Sequence, residues 1–368
     1  MSSIARSSKE RAVALRVLAL VPYPIGRAPG QRYRIEQWAP LLREEGIDVS
    51  FSPFLSPRCM DVLYRRGHSV LKVLEIVRGY VKRAGDVVKL RSADVVFVYR
   101  EAGLLGPPWI EQLLSWRLPL VFDFDDAIYL ADTSPANAWS RALKVRGKPK
   151  VICRIARHVT VGNEFLAEFA SRYTPAVTVV PSTIDTGLYR IRKRPENDRP
   201  VVGWTGSGTT LPYLEALGPA LRRLRQRRDF ELRVIGGQVQ IDGVAVRCVP
   251  WNAETEVDDL RPLDVGVLPL PDTEWARGKC GMKALQYMAL GVPPVVSPIG
   301  ANTTIVRDGV NGFHARTDEE WADRLSILLD NAALRSRMSF WARRTVEESY
   351  SSEMHASRMA RILHEAAS

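Results

Sequence analysis

The sequence predicts an α/β protein of two doubly wound, parallel-sheet domains, and three observations predict it. Two almost continuous apolar runs, at residues 15–23 and 201–205, each lead into a glycine-bearing loop and then a helical pattern. Runs without polar alternation mark strands covered on both faces, as in parallel sheets. The length of 368 residues exceeds one ordinary core and suits two.

In the first half, the loop Gly26-Arg27-Ala28-Pro29-Gly30 follows the opening strand, and a helix runs through Arg34, Trp38 and Leu42. Further strands are predicted at 47–51, 95–99, 118–124, 158–161 and 177–181. In the second half, Gly206-Ser207-Gly208-Thr209-Thr210 precedes a helix through Leu214, Leu217 and Leu221, with strands at 231–235, 265–268 and 295–297. The charged, proline-bounded stretch 190–200 reads as a linker. The predicted organisation is a first domain over 1–189, the linker, a second domain over 201–345, and a terminal helix over 346–368 that crosses back onto the first domain. Ligands of open α/β sheets sit beyond the carboxyl ends of the strands, so both glycine loops fall at one interdomain cleft.

Hydrophobic residues make up 46% and charged residues 25%, the balance of a globular chain. The uncharged stretch 290–306 is broken by Pro293, Pro294 and Pro298 and is no spanning helix. The first apolar run contains Arg16 and ends in Val21-Pro22-Tyr23-Pro24, which reads as a strand and not a signal peptide. Cys59, Cys153, Cys248 and Cys280 show no paired spacing, which fits a reducing, cytoplasmic setting without a zinc site. The net charge of +11 implies an acidic partner: nucleotide phosphates, an anionic membrane or nucleic acid. Nucleic acid is not expected, because no reading motif or aromatic stripe accompanies the charge. A dinucleotide fingerprint is absent, since Leu211 stands where its third glycine belongs.

The most informative segment is 275–296, Trp-Ala-Arg-Gly-Lys-Cys-Gly-Met-Lys-Ala-Leu-Gln-Tyr-Met-Ala-Leu-Gly-Val-Pro-Pro-Val-Val. A glycine loop enters a helix that stops at Gly291, and a buried strand follows. The helix start offers free N–H groups and the positive end of the dipole to an anion. Lys279, Lys283 and Gln286 fall at i, i+4 and i+7, so one helical face is expected to carry all three. A dipole alone contributes about 0.3–1 kcal/mol, whereas hydrogen bonds to charged groups contribute about 1.5–3 kcal/mol each. A diphosphate leaving group calls for the second kind.

This segment resembles the donor motif of the retaining family-4 glycosyltransferases of GT-B fold. It is similar in particular to a bacterial subgroup with Gly-Lys-Cys-Gly-x-Lys-x-x-Gln-Tyr-Met-Ala. The resemblance continues through Gly203-Trp204-Thr205-Gly206-Ser207, Val180-Pro181-Ser182-Thr183-Ile184-Asp185 and Asp308-Gly309-Val310-Asn311-Gly312-Phe313. It implies two Rossmann-like domains facing each other across a cleft, and transfer of a sugar from a nucleoside-diphosphate sugar to a glycan or lipid-linked glycan. The two glutamates of the general family motif are replaced by Gly278 and Gln286. Gln286 would then take the ribose hydroxyls, as an amide both donates and accepts. Gly206, Ser207, Gly208, Arg277, Cys280, Gly281 and Met282 would line the donor, with Lys283 and Lys279 carrying the diphosphate charge. The resemblance also implies transfer on one face of the sugar without a side-chain nucleophile, a metal or another cofactor. A non-catalytic sugar-nucleotide binder and a sugar-nucleotide epimerase of similar fold are the alternatives.

Asp123-Phe124-Asp125-Asp126 ends the strand over 118–124 and has three readings. It is a divalent-metal site, polar machinery of the cleft, or a cap on 127–130. In the family a His-Asp pair often occupies this strand end, near Asp125 and Asp126, which join the lysines as candidate catalytic groups, with no metal expected. Gly26, Gly30, Arg32, Arg34 and Arg100 are acceptor or cleft candidates. Between Arg58 and Arg91 nine Lys/Arg meet three acids, interleaved with Val70, Leu71, Val73, Leu74, Val77, Val81 and Val87. The segment is either a helix packed on the sheet with a solvated outer face, or a patch for the inner face of an anionic membrane.

Overall fold

The computed structural model describes residues 15–63, 65, 67–130, 145–192 and 197–368. The middle of the expected linker, 193–196, and Arg66 of the basic segment lie outside the described residues.

Among the described residues there are two six-stranded sheets, one in each half. β1 (Leu15–Val21), β2 (Ile47–Pro53), β3 (Val95–Tyr99), β4 (Leu120–Phe124), β5 (His158–Val161) and β6 (Val177–Val179) are all parallel, in the order β2-β1-β3-β4-β5-β6. β7 (Val201–Thr205), β8 (Glu231–Ile235), β9 (Ala245–Val249), β10 (Val265–Leu268), β11 (Pro294–Val296) and β12 (Phe313–His314) form the second, in the order β12-β11-β10-β7-β8-β9. Chain direction across each sheet reverses beside its first strand, between β1 and β3 and between β7 and β10. Ligands of such sheets bind at those switch points.

The apolar runs are explained by burial on both faces. β3, β4 and β7 are buried throughout. On one face of the first sheet Leu18, Leu20, Phe122 and Phe124 pack with Leu114, Ile152 and Leu166 of the following helices. On the other, Val17, Ala19 and Phe97 pack with Trp38, Leu42, Met359 and Leu363. Burying each large side chain contributes about 1.5–3 kcal/mol. The second sheet is sandwiched likewise, with Trp204, Leu232 and Val265 on one side and Leu285, Met288 and Val296 on the other.

The chain ends in two helices, Ala332–Ser349 and Ser352–Ala367, broken at Tyr350 and Ser351. At the break Ile184 N–H donates to the Tyr350 carbonyl and Ser352 N–H to the Ile184 carbonyl, both at 2.9 Å. The last helix thereby lies on the first sheet, although it follows the second in sequence.

Three local features differ from the sequence reading. Arg32–Glu36 is a turn of π-helix ahead of Ala39–Glu44. β9 has half-exposed positions around exposed Arg247 and so shows no apolar run. The helix of the donor-like segment begins only at Met282, with a short helix, Glu274–Arg277, before it. Lys279 therefore lies in the connecting turn, and the expected single helical face of Lys279, Lys283 and Gln286 is corrected accordingly. Gly281 adopts φ +64°, which a side chain resists, and so breaks the helix there.

Candidate functional site

The carboxyl ends of the two sheets meet, and the turn 277–281 makes one of the contacts. Asn163 after β5 donates from Nδ2 to the carbonyls of Arg277 (3.2 Å) and Lys279 (3.0 Å). The buried Cys280 thiol donates to the Asp125 carbonyl at 3.0 Å, and a Cβ on Gly162 would overlap its sulfur. A Cβ on Gly278 would lie 2.8 Å from that of Ala127. Cys280 is thus an interdomain packing residue, which corrects its expected place against the donor. Its thiol is turned into the first domain.

On the first-domain side the acidic triplet divides. Asp123 is fully buried and pairs with equally buried Arg34, whose Nε lies 3.0 Å from Oδ2; Thr160 donates to Asp123 at 2.6 Å. Arg34 also donates to the Val180 carbonyl. Arg34 was expected in the cleft; the correction follows from this enclosed pair, which leaves no guanidinium surface for a ligand. Asp125 accepts from Tyr99 Oη at 2.8 Å and from Arg100 at 3.0 and 2.8 Å, while Asp126 accepts from Arg100 at 2.5 Å. Arg100 adopts φ +61°, a conformation unusual outside glycine, and aims its guanidinium across the strand ends. Burial raises both carboxyl pKa values. For Asp125 the Arg100 and Arg34 charges more than offset this and leave it below its ordinary value, whereas Asp126 stays above. Residues 127–130 form a turn and not a helix, so the capping alternative is not realised.

Gly30 backs this pair, since a Cβ there would lie 2.7 Å from Tyr99 Oη and 2.9 Å from Asp125 Oδ2. Gly26 takes φ +77° in open space, with its N–H on Glu36 at 2.8 Å. It serves the turn.

On the second-domain side, Lys283 in the first turn of the helix Met282–Ala289 donates from Nζ to Thr210 Oγ1 at 3.0 Å and stands 4.9 Å from the Trp204 ring centre. Thr210 belongs to the glycine loop after β7, where it also accepts from Ser207 N–H at 3.2 Å. Gly206 is required there, because a Cβ would overlap the Trp204 ring. Gly208 is open. Burial, and secondarily the Lys279 charge, push the Lys283 pKa down to about 7. Lys279 reaches across the seam to Asp126 at 4.0 Å and lies 5.4 Å from the Trp275 ring centre. Met282 is half-buried against the second-domain core. Arg277 is exposed and held by Asp272 at 2.7 Å, outside this group.

Gln286 is engaged across the seam between the domains. Its Nε2 donates to Tyr33 Oη (2.8 Å) and Tyr189 Oη (2.9 Å), and both hydroxyls lie 3.0 Å from Glu256 Oε2. Arg32 closes this network as the ion-pair partner of Glu256, and Trp251 donates to the same carboxylate at 3.0 Å. Gln286, expected at the ribose, and Arg32, expected in the cleft, are both engaged in this network. Both belong to a buried latch between the domains, which a ribose would have to exchange into. Tyr33, Tyr189 and Glu256 carry no sequence signal of this role, being far apart in the chain. Thr210 was visible only as part of the loop after β7, and Trp204 only as part of that strand.

The arrangement brings together Lys279, Lys283, the loop 206–210, Arg100, Asp125 and Asp126. Cationic groups on one wall face paired carboxylates on the other, as suits a ligand with an anionic end and a hydroxylated end.

Residues 199–331 match the family model described as Glycosyl transferases group 1. Among curated proteins, D-inositol 3-phosphate glycosyltransferase of an Arthrobacter species is 29% identical over 131 residues, 34% of this chain and 30% of that protein. Its counterpart from a Nocardioides species is 38% identical over 61 residues, 16% of this chain and 13% of that protein. The chain thus spans less than a third of the length of these curated relatives. Sucrose-phosphate synthase from Thermosynechococcus elongatus superposes with a TM-score of 0.68 at 15% identity, covering 96% of this chain and 100% of that one. Anabaena HepE, solved in complex with UDP and glucose, does so with a TM-score of 0.65 at 14% identity, covering 95% and 100%. The chain has the two-domain GT-B fold, and its second domain is similar to the group 1 glycosyl transferases.

Proposed function

We propose that this protein is a glycosyltransferase that moves a sugar, with retention, from a nucleoside-diphosphate sugar to a glycan or lipid-linked glycan. The observation that carries the reading is Lys283. Its ammonium is half-buried beside a second cation and has no carboxylate within ion-pair distance among the described residues. A buried charge without a counter-ion is unfavourable, so the site favours an arriving anion of the size of a diphosphate. Lys283 and Lys279 take the leaving phosphate, the N–H groups at Met282 and Lys283 add the helix dipole, and the loop 206–210 supplies hydroxyls. Asp125 and Asp126 hold Arg100 and orient the acceptor. The likeness in fold to HepE, which was solved in complex with UDP and glucose, supports a nucleotide sugar as the donor class.

No metal enters this scheme. The carboxylates of the triplet are already engaged by Arg34, Arg100 and Tyr99, and the lysines supply the charge neutralisation a metal would give. The same reading has the reaction run in the cytoplasm, at the inner face of the membrane when the acceptor is lipid-linked. Thermal stabilisation by a panel of nucleoside diphosphates and their sugars tests donor binding, followed by transfer to glycan and lipid-linked acceptors with anomeric analysis of the product. Binding without turnover across the acceptors would favour a non-catalytic binder, a reading for which the occupied Gln286 amide is the supporting observation.

A further inference from the structure

The helix Ser69–Lys89 is built inside out. Its inward face carries Lys72, Glu75, Arg83 and Asp86, each at most 8% exposed, while Val70, Leu74 and Val81 on the outward face are 75%, 60% and 69% exposed. Val73 and Val77 complete the outer stripe. The reversal has a structural reason. Arg83 donates to the carbonyls of Val21, Ser52 and Ala102, at the ends of β1 and β2 and just after β3, and pairs with Asp86 at 2.9 Å. The inner face is thus a polar cap on strand ends, and the apolar residues are left for something outside the chain.

The same carbonyls locate the helix. It passes the carboxyl edge of the first sheet near Arg83, and the residues before it, about 21 Å of helix, project past that edge. A cluster of Phe54, Leu55 and Cys59, with Met60, Leu63, Ile76 and Tyr80 packed against it, supports this overhang. The exposed stripe therefore lies on the cleft side of the domain. A neighbouring helix on the same face, Trp109–Ser115, adds exposed Trp109 and Leu113, and Trp116 follows one turn on. These three are spaced i, i+4, i+7 and share one side.

We propose that this surface docks the protein on an anionic lipid membrane, with the two helices lying in the interface. Three observations select lipid over a second copy of the chain. The net charge of +11 makes two copies repel and favours an anionic surface. Exposed Arg65, Arg78 and Arg91 border the stripe at its start, middle and end, and no described side chain on its outer face is acidic. Exposed tryptophans beside an apolar stripe suit the headgroup level of a bilayer. No helix of the described residues is long and apolar enough to cross a membrane, so the contact is superficial. Docking on the overhang places the cleft mouth at the lipid surface, where a lipid-linked substrate has its reacting end.

The test is co-sedimentation of the full chain with vesicles of phosphatidylcholine alone or with phosphatidylglycerol added, using wild type and the Val73→Asp/Val77→Asp double variant. Both positions are exposed, and unchanged thermal unfolding and unchanged nucleotide-sugar stabilisation establish that the variant is intact. The expected result is binding to the anionic vesicles that weakens with salt, and at least about tenfold weaker binding of the variant. Wild type that ignores anionic vesicles overturns the proposal, as does a variant that binds like wild type. A dimer that the variant dissociates, without any vesicle binding, assigns the stripe to self-association and also overturns it. Because the readout needs no turnover, it fails or succeeds independently of the proposed reaction.

Discussion

Measuring nucleotide-sugar affinity between pH 6.5 and 8.5 reads the charge on Lys283. In the free protein this amine has a pKa of about 7, lowered by burial and by Lys279. A bound diphosphate supplies the missing counter-charge and returns it toward the ordinary lysine value of about 10.4. Binding above pH 7 therefore takes up a proton. The free amine is mostly charged at pH 6.5 and mostly neutral at pH 8.5, so affinity falls about 25-fold over the interval by linkage. The diphosphate of a nucleotide sugar is a diester with fixed charge in this range, so the ligand contributes no titration. Calorimetry in buffers of different ionisation enthalpy, with the nucleotide sugar that best stabilises the protein, gives both affinity and proton uptake; about 0.9 proton is expected at pH 8. Lys283→Arg, charged throughout, flattens the profile. A flat wild-type profile, or a steep profile that survives in Lys283→Met, would refute the reasoning.

Three further outcomes follow from the geometry. Lys283→Met lowers turnover by orders of magnitude yet raises the unfolding temperature of the unliganded protein, because it removes a partly desolvated amine without a counter-ion; kinetics and a thermal melt on one preparation check both signs. Arg34→Ala leaves Asp123 buried and unpaired and destabilises by about 3–5 kcal/mol, measured by denaturant unfolding; full stability with lost transfer would return Arg34 to the cleft. Gly162→Ala presses a methyl group against Cys280 Sγ and loosens the interdomain turn, raising KM for the donor, and Gly162→Ala/Cys280→Ala restores part of the loss by making room.

The sequence showed the fold well where burial is two-sided. β3, β4 and β7 are covered on both faces and read as unbroken apolar runs, and their positions match to within two residues. β9, half-exposed on a sheet edge, and the two-residue β12 left no such pattern. Lys283 at a helix start after a glycine turn, and the loop 206–210 after a strand, were legible as local patterns; the i, i+4 link from Lys279 to Lys283 was not, because Gly281 breaks the helix between them. The latch was not. Tyr33, Tyr189, Glu256 and Gln286 meet only because the two sheets close on each other, and periodicity within one element says nothing about that. Arg34 misled for a related reason: an arginine after a strand reads the same whether its partner is a ligand or, as here, a buried aspartate 89 positions away. The helix Ser69–Lys89 showed its amphipathic spacing, but not which face turns inward, since that depends on strand-end carbonyls it must cap.

A structure of the protein with a nucleoside diphosphate bound tests the central claim most directly. The account predicts the terminal phosphate within about 3 Å of Lys283 Nζ, beside Lys279 and over the N-terminus of the helix Met282–Ala289, with Gln286 released from Tyr33 and Tyr189 to meet the ribose. A diphosphate bound elsewhere, with both ammonium groups still facing Thr210 and Asp126 alone, would contradict it.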